Sequence, residues 1–206
     1  AGLHVVDALK GGETVWVSAA AGAVGSLAVQ IAKLCGNRVI ASAGSDDKVA
    51  WLRDELGVVA FNYRDGLDDQ LRALAPDGID VYFDSVGGDH LEAALDHLAR
   101  GGRVAMCGSI SEYDSGPKGP RNLFLAVSKD LTLRGFRGSS NLHLMAEMQS
   151  RLSAWLRSGE LGHRETVFAG LDSAPRALAA MIAGETTGKT LVSIGGPSDS
   201  DGRGTT

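Results

Sequence analysis

Cysteine is nearly absent. The 206 residues hold two, Cys35 and Cys107, too few for a disulfide framework or a four-thiolate zinc site. A free-thiol, cytoplasmic protein is the expectation. No run of Lys and Arg stands out, and the net charge is -5, which argues against a nucleic-acid partner. No apolar run approaches the roughly 18 residues of a membrane helix, so no membrane partner is expected either. The start carries no signal-peptide pattern. The five histidines show no metal-ligand spacing, and no metal site is expected. His90 and His97, seven apart on one predicted helix, read as a solvated surface.

What the sequence does have is regular punctuation. Hydrophobic residues make up 44%, and many of the 28 glycines fall just after apolar runs, as turns do in an α/β protein. Strands are predicted over 14–18, 38–41, 58–61, 79–83, 103–106 and 131–135. Helices are predicted over 24–34, 46–56, 67–74, 89–98 and 121–127. Residues 108–119 read as a loop. Short connections between alternating strands and helices demand right-handed crossovers and a parallel sheet covered on both faces. The fold class expected is α/β: a doubly wound, six-stranded Rossmann sheet in the order 3-2-1-4-5-6.

Beyond Asn141 the alternation gives out. A long helix is predicted over 142–157, a strand over 165–169, a helix over 175–183 and a strand over 190–194. The domains expected are a nucleotide-binding domain over 1–140, a remnant of a second, β-rich domain over 141–194, and a disordered tail over 195–206. The chain opens at Ala1 without methionine, and residues 1–9 read as part of a helix, so an upstream portion is expected to have been removed.

The stretch "SAAAGAVGS" follows the first strand and opens a helix. It matches GxGxxG with alanine first: Ala20, Gly22 and Gly25 hold the three positions. The first residue makes the tight turn, the second lets backbone approach a pyrophosphate, and the third lets helix pack on strand. Alanine can serve in the first position if its φ stays negative. The helix then opens near Ala23 and Val24, with its free amides and positive dipole end toward the phosphates.

An NAD site usually places an acid at the end of strand two to hold the ribose 2′-hydroxyl. Here that place reads "ASAGS", and Asp46 and Asp47 suit the helix start that follows, with Ser45 or Asp46 as its N-cap. Lys48 comes next, and Tyr63 and Arg64 end the neighbouring strand. A small uncharged pocket with nearby cations fits a 2′-phosphate, so NADP(H) is the cofactor expected. Asp84 could face the same crevice or cap the next turn.

The segments "ETVWVSAAAGAVGS", "AGSDDK", "FNYR", "PDGIDVYFDSVGG", "MCGSISEYD", "GPRN" and "RGF" occur in order. Together they resemble the zinc-independent medium-chain dehydrogenase/reductases, specifically the alkenal/enone (leukotriene/prostaglandin) reductase group. The resemblance spans about residues 1–194. It implies an NADPH-dependent enzyme reducing the carbon–carbon double bond of α,β-unsaturated aldehydes and ketones. It also implies an N-terminal catalytic domain, missing here, to which the C-terminal stretch returns, and a homodimer through strand 131–136, whose exposed edge invites pairing.

By position the resemblance implies that Gly22, Ala23, Val24 and Gly25 bind the pyrophosphate. Lys48 and Tyr63 would lie at the 2′-phosphate, and Ser45 is counted with them as cofactor-binding. Cys107, Gly108, Ser109, Ile110 and Tyr113 would cover the nicotinamide end, with Phe136, Arg137 and Gly138 beside them. Ser85 and Thr186 stand where the family usually has asparagine, and reach less far. Tyr113 is the candidate to contact the substrate carbonyl or to pack on the ribose. Cys107 reads as a small buried residue near the cofactor rather than a nucleophile. Two other functions remain: a quinone reductase, and a non-catalytic NADPH-binding fragment. The chain alone is expected to bind NADPH and to reduce alkenals poorly or not at all.

Overall fold

The computed structural model describes residues 3, 9–113 and 116–194. The helix expected over 1–9 lies outside the described residues except for Leu3 and Leu9, and the tail expected over 195–206 lies wholly outside them. The chain divides into two compact units, the first ending at Gly162 and the second beginning at His163. The first thus runs past residue 140, where the alternation in the sequence gives out.

In the first unit, β1 (Thr14–Val17), β2 (Arg38–Ala43), β3 (Val59–Asn62), β4 (Ile79–Asp84), β5 (Leu98–Met106) and β6 (Thr132–Gly135) form one sheet. Its order is β3-β2-β1-β4-β5-β6, and every pairing is parallel. Between them run α1 (Ala23–Leu34), α2 (Asp46–Asp54), α3 (Leu67–Leu74), α4 (Gly88–His97) and α5 (Leu125–Ser128).

Strand alternation explains the two cores. Val15, Val17, Ala41, Val81 and Phe83 face one side, under Ala28 and Val29 of α1 and Val49 and Leu52 of α2. Trp16, Ile40, Tyr82 and Val104 face the other, under Leu71 of α3 and Leu91 and Leu95 of α4. The helices change faces where the strand order reverses, between β1 and β4. That is where an open α/β sheet forms its ligand crevice.

Several boundaries differ from those read in the sequence. Helix α4 stops at His97, and β5 begins at Leu98 rather than after Gly101-Gly102. Lys129 Nζ donates to the carbonyls of Leu95, Asp96 and Leu98, which closes the helix end. Helix α5 covers only Leu125–Ser128, not 121–127. Its expected start is held elsewhere: Glu92 accepts the Arg121 amide (2.9 Å) and guanidinium (2.8 Å), and Asn122 Nδ2 donates to Glu92 O (2.9 Å). The helix expected from 142 begins at Met145, as α6 (Met145–Ser158), after a 3-10 stretch with a non-helical Asn141.

The second unit is a small βαβ motif. β7 (Glu165–Ala169) pairs in parallel with β8 (Lys189–Ser193), joined by α7 (Ala174–Ile182). Among the described residues no helix is long and apolar enough to cross a membrane.

Candidate functional site

The turn leaving β1 is made of backbone. Ala20 N bonds to Ser42 O (3.0 Å) and Gly22 N to Ala19 O (3.0 Å). The positive φ of the turn, +47°, falls on Ala19; Ala20 keeps the negative φ that its place in the fingerprint requires. Gly22 is the extended N-cap residue of α1, with no capping side chain and no acid in the first turn. The amides of Ala23, Val24 and Gly25 have no acceptor among the described residues. They carry the positive end of a 12-residue helix. A Cβ at Gly25 would overlap the Ala19 carbonyl oxygen and lie 2.8 Å from Ala20 Cα, so only glycine lets the helix approach this closely.

The next turn over, at the ends of β2 and β3, is cationic. Tyr63 lies across Gly44: a Cβ there would sit 2.8 Å from Tyr63 Oη and 3.1 Å from its ring. Ser45 is the N-cap residue of α2, yet its hydroxyl makes no cap hydrogen bond. Lys48 follows in the first turn. Partial burial lowers its pKa, and the Arg64 charge lowers it further. Two cations are thus held within electrostatic reach beside a phenol. Of the two acids at the helix start, Asp46 is engaged by Asn62 Nδ2 (2.9 Å).

The turn leaving β4 is filled from within. Asp84 accepts from Tyr82 Oη (2.8 Å), Val86 N (2.9 Å) and Gly87 N (2.8 Å). Burial raises its pKa, against those hydrogen bonds. Of its two possible roles it therefore takes the cap. Ser85 donates its amide to Ser18 Oγ (3.1 Å) at the end of β1, which ties the two turns together. Its own hydroxyl is buried without a partner of normal geometry, beside the Cys107 thiol, whose pKa burial raises.

The residues after β5 pack onto this turn. Cys107 N and Gly108 N bond to Asp84 O, Ile110 N to Ser85 O and Ser111 N to Val86 O. A Cβ at Gly87 would overlap Ser109 Oγ. Cys107, Gly108, Ser109, Phe136 and Arg137 line one cavity of about 570 Å³ at the ends of β5 and β6. Gly138 lies just past this wall, opening the 3-10 stretch. Tyr113 is 73% exposed and lines neither this cavity nor the apolar one of about 320 Å³ beside α1 and α6. Thr186 belongs to the second unit, where Thr190 Oγ1 donates to its hydroxyl (2.9 Å).

The histidines correct the sequence reading. His90 is not on a solvated face: it is 8% exposed, its Nε2 has no partner, and burial lowers its pKa to about 4. His97 is largely covered and meets Asp68 at 3.2 Å. Leu91, Ala94 and Leu95 mark that helix face as the inner one, and this was the signal available in the sequence. Among the described residues no group of three or more His, Cys, Asp and Glu could hold a metal ion.

Residues 23–156 match the family described as zinc-binding dehydrogenase. The chain is 41% identical over 198 residues to a tobacco (Nicotiana tabacum) 2-alkenal reductase (NADP(+)-dependent), spanning 94% of this chain and 58% of that protein. Its fold superposes on CurA from Vibrio vulnificus in complex with NADPH, with a TM-score of 0.88 and 34% identity, covering 95% of this chain and 61% of CurA. It also superposes on Escherichia coli quinone oxidoreductase complexed with NADPH, with a TM-score of 0.78 and 27% identity, covering 89% and 58%.

Proposed function

The chain belongs to the zinc-binding dehydrogenase family, and from that premise we propose that it binds NADP(H) and serves an oxidoreductase that reduces the carbon–carbon double bond of α,β-unsaturated aldehydes and ketones. One observation carries the cofactor reading. Burial and the Arg64 charge both lower the Lys48 pKa, Tyr63 lies over Gly44 just ahead of α2, and no acid ends β2. Two cations brought together in a partly buried place suit a doubly charged phosphate. The uncapped start of α1 fits a pyrophosphate, and the orphaned Ser85 hydroxyl fits a polar ligand group in the crevice.

Bound there, the nicotinamide supplies hydride chemistry; the chain's part is to hold and orient. The α1 amides fix the phosphates, and Lys48, Arg64 and Tyr63 fix the adenosine end. The segments of Cys107–Ile110 and of Phe136–Gly138 wall the opposite end. Tyr113, exposed on its loop, is the phenol assigned here to donate to a developing enolate oxygen, as the family resemblance suggests. The relative named a 2-alkenal reductase favours alkenals as substrate class. Similarity to the E. coli quinone oxidoreductase supports quinones as the second reading. The exposed β6 edge supports a homodimer, to be checked by light scattering at micromolar protein.

Calorimetric titration with NADPH and NADH tests the cofactor reading. Tight NADPH and weak NADH binding is expected; equal affinities would overturn it. Parallel assays with a simple enone and a simple quinone, following NADPH oxidation, separate the two substrate readings.

A further inference from the structure

Helix α4 presents an imidazole where its pattern calls for an aliphatic residue. His90 sits among buried Leu91, Ala93 and Ala94, with its Nε2 buried and unpartnered. An unpaired buried nitrogen is a cost that leucine would avoid. What imidazole adds over leucine is a flat, rigid ring, and the neighbours use it. One face of His90 lies parallel to Trp16 (centroids 6.1 Å, planes 19° apart), which itself stacks on Tyr82 at 4.2 Å. Tyr63 meets His90 edge-on, at 4.8 Å and 77°. Trp16 is fixed in turn by donating Nε1 to Ser42 Oγ (3.1 Å) on β2, two residues before the Gly44 on which Tyr63 rests.

We propose that His90 is a positioning residue for 2′-phosphate recognition: its ring buttresses Tyr63 and holds the phenol over Gly44, just ahead of the α2 start that carries Lys48, so cofactor choice is set in part from α4. This rests on the NADP(H) reading above. An edge-to-face ring pair is strongly orientation-dependent. A smaller side chain at 90 leaves Tyr63 free to fall back into the core and takes its hydroxyl from the pocket. The ribose 2′-position alone feels that change. The pyrophosphate and nicotinamide contacts lie on other turns.

The test is calorimetric titration of wild type, His90→Ala and His90→Phe with NADPH and NADH. In His90→Ala, NADPH binding is expected to weaken about fivefold with NADH unchanged, the size of one lost ring pair. His90→Phe keeps a flat ring and is expected to restore the preference. In a Tyr63→Ala background, His90→Ala is expected to change the preference no further. An unchanged NADPH-to-NADH ratio in His90→Ala, or equal weakening of both, overturns the proposal while leaving the cofactor reading intact. Should His90→Ala fail to fold by circular dichroism, His90→Leu fills the volume without a ring and must lower the ratio instead. A wild-type protein with no preference for NADPH overturns both.

Discussion

The turns leaving β1 and β4 stand side by side at the carboxyl edge of one sheet, joined by Ser18 and Ser85, and they solve the same problem in opposite ways. Each must carry the chain from a strand into a helix and hold the backbone amides of the turn between them. After β4, a side chain ties down the residues just ahead of the helix: Asp84 takes the Val86 and Gly87 amides and the Tyr82 hydroxyl, while the helix start itself carries no side-chain cap. After β1, no described side chain does so. Alanines and glycines bring the backbone round, and the first amides of α1 have no acceptor among the described residues. A turn of bare backbone beside one tied down by a side chain suits a ligand that completes it.

The difference can be broken at several points. The largest effect is expected at Gly25. Gly25→Val forces a branched side chain into the Ala19 carbonyl, costing roughly 4 kcal/mol or more and abolishing cofactor binding; chemical denaturation and NADPH titration read both. Asp84→Ala acts on the filled turn. It strands two amides, for a loss of roughly 3–4 kcal/mol in urea unfolding, with the α1 turn left in place.

The element that follows the filled turn makes it sensitive to acid. His90 has its pKa lowered from 6.5 to about 4, so the unfolded chain binds its proton first. Stability from this group is present above pH 6.5 and is lost as pH falls toward 4, by about 3 kcal/mol at most. Asp84 works the other way: its raised pKa favours the folded state at low pH and offsets part of the loss. Denaturation midpoints across that range should fall toward acid in wild type and fall less in His90→Phe.

Smaller changes sharpen the open side. Lys48→Ala should weaken NADPH about tenfold and leave NADH unchanged, the scale of a charge-assisted contact to one phosphate. Ala19→Gly removes a left-handed alanine and should stabilise by about 0.5 kcal/mol at most, since glycine's unfolded-state freedom offsets most of the gain. Thermal melts are sensitive enough to decide its sign.

The sheet was legible because its signals are local. The apolar runs from Thr14 to Gly135 and the glycines after them placed six strands, and short connections set their order. The α1 turn was legible for the same reason: Gly22 and Gly25 follow a strand and open a helix. What stayed hidden depends on partners distant in sequence. Arg121 looks like the start of a helix until Glu92 captures its amide. The histidine at 90 looks like surface until the helix phase set by Leu91 and Leu95 turns it inward. Asp84 offered two roles in the sequence, and only the amides folded over it decide between them.

The most direct measurement is amide hydrogen exchange of the two turns with and without NADPH. Slowing on addition of NADPH is expected at Ala23, Val24 and Gly25, where the amides stand open, with Val86 and Gly87 unchanged because Asp84 already holds them. Slowing at Val86 and Gly87 with none in the first turn of α1 would contradict an open β1 turn as the cofactor's seat.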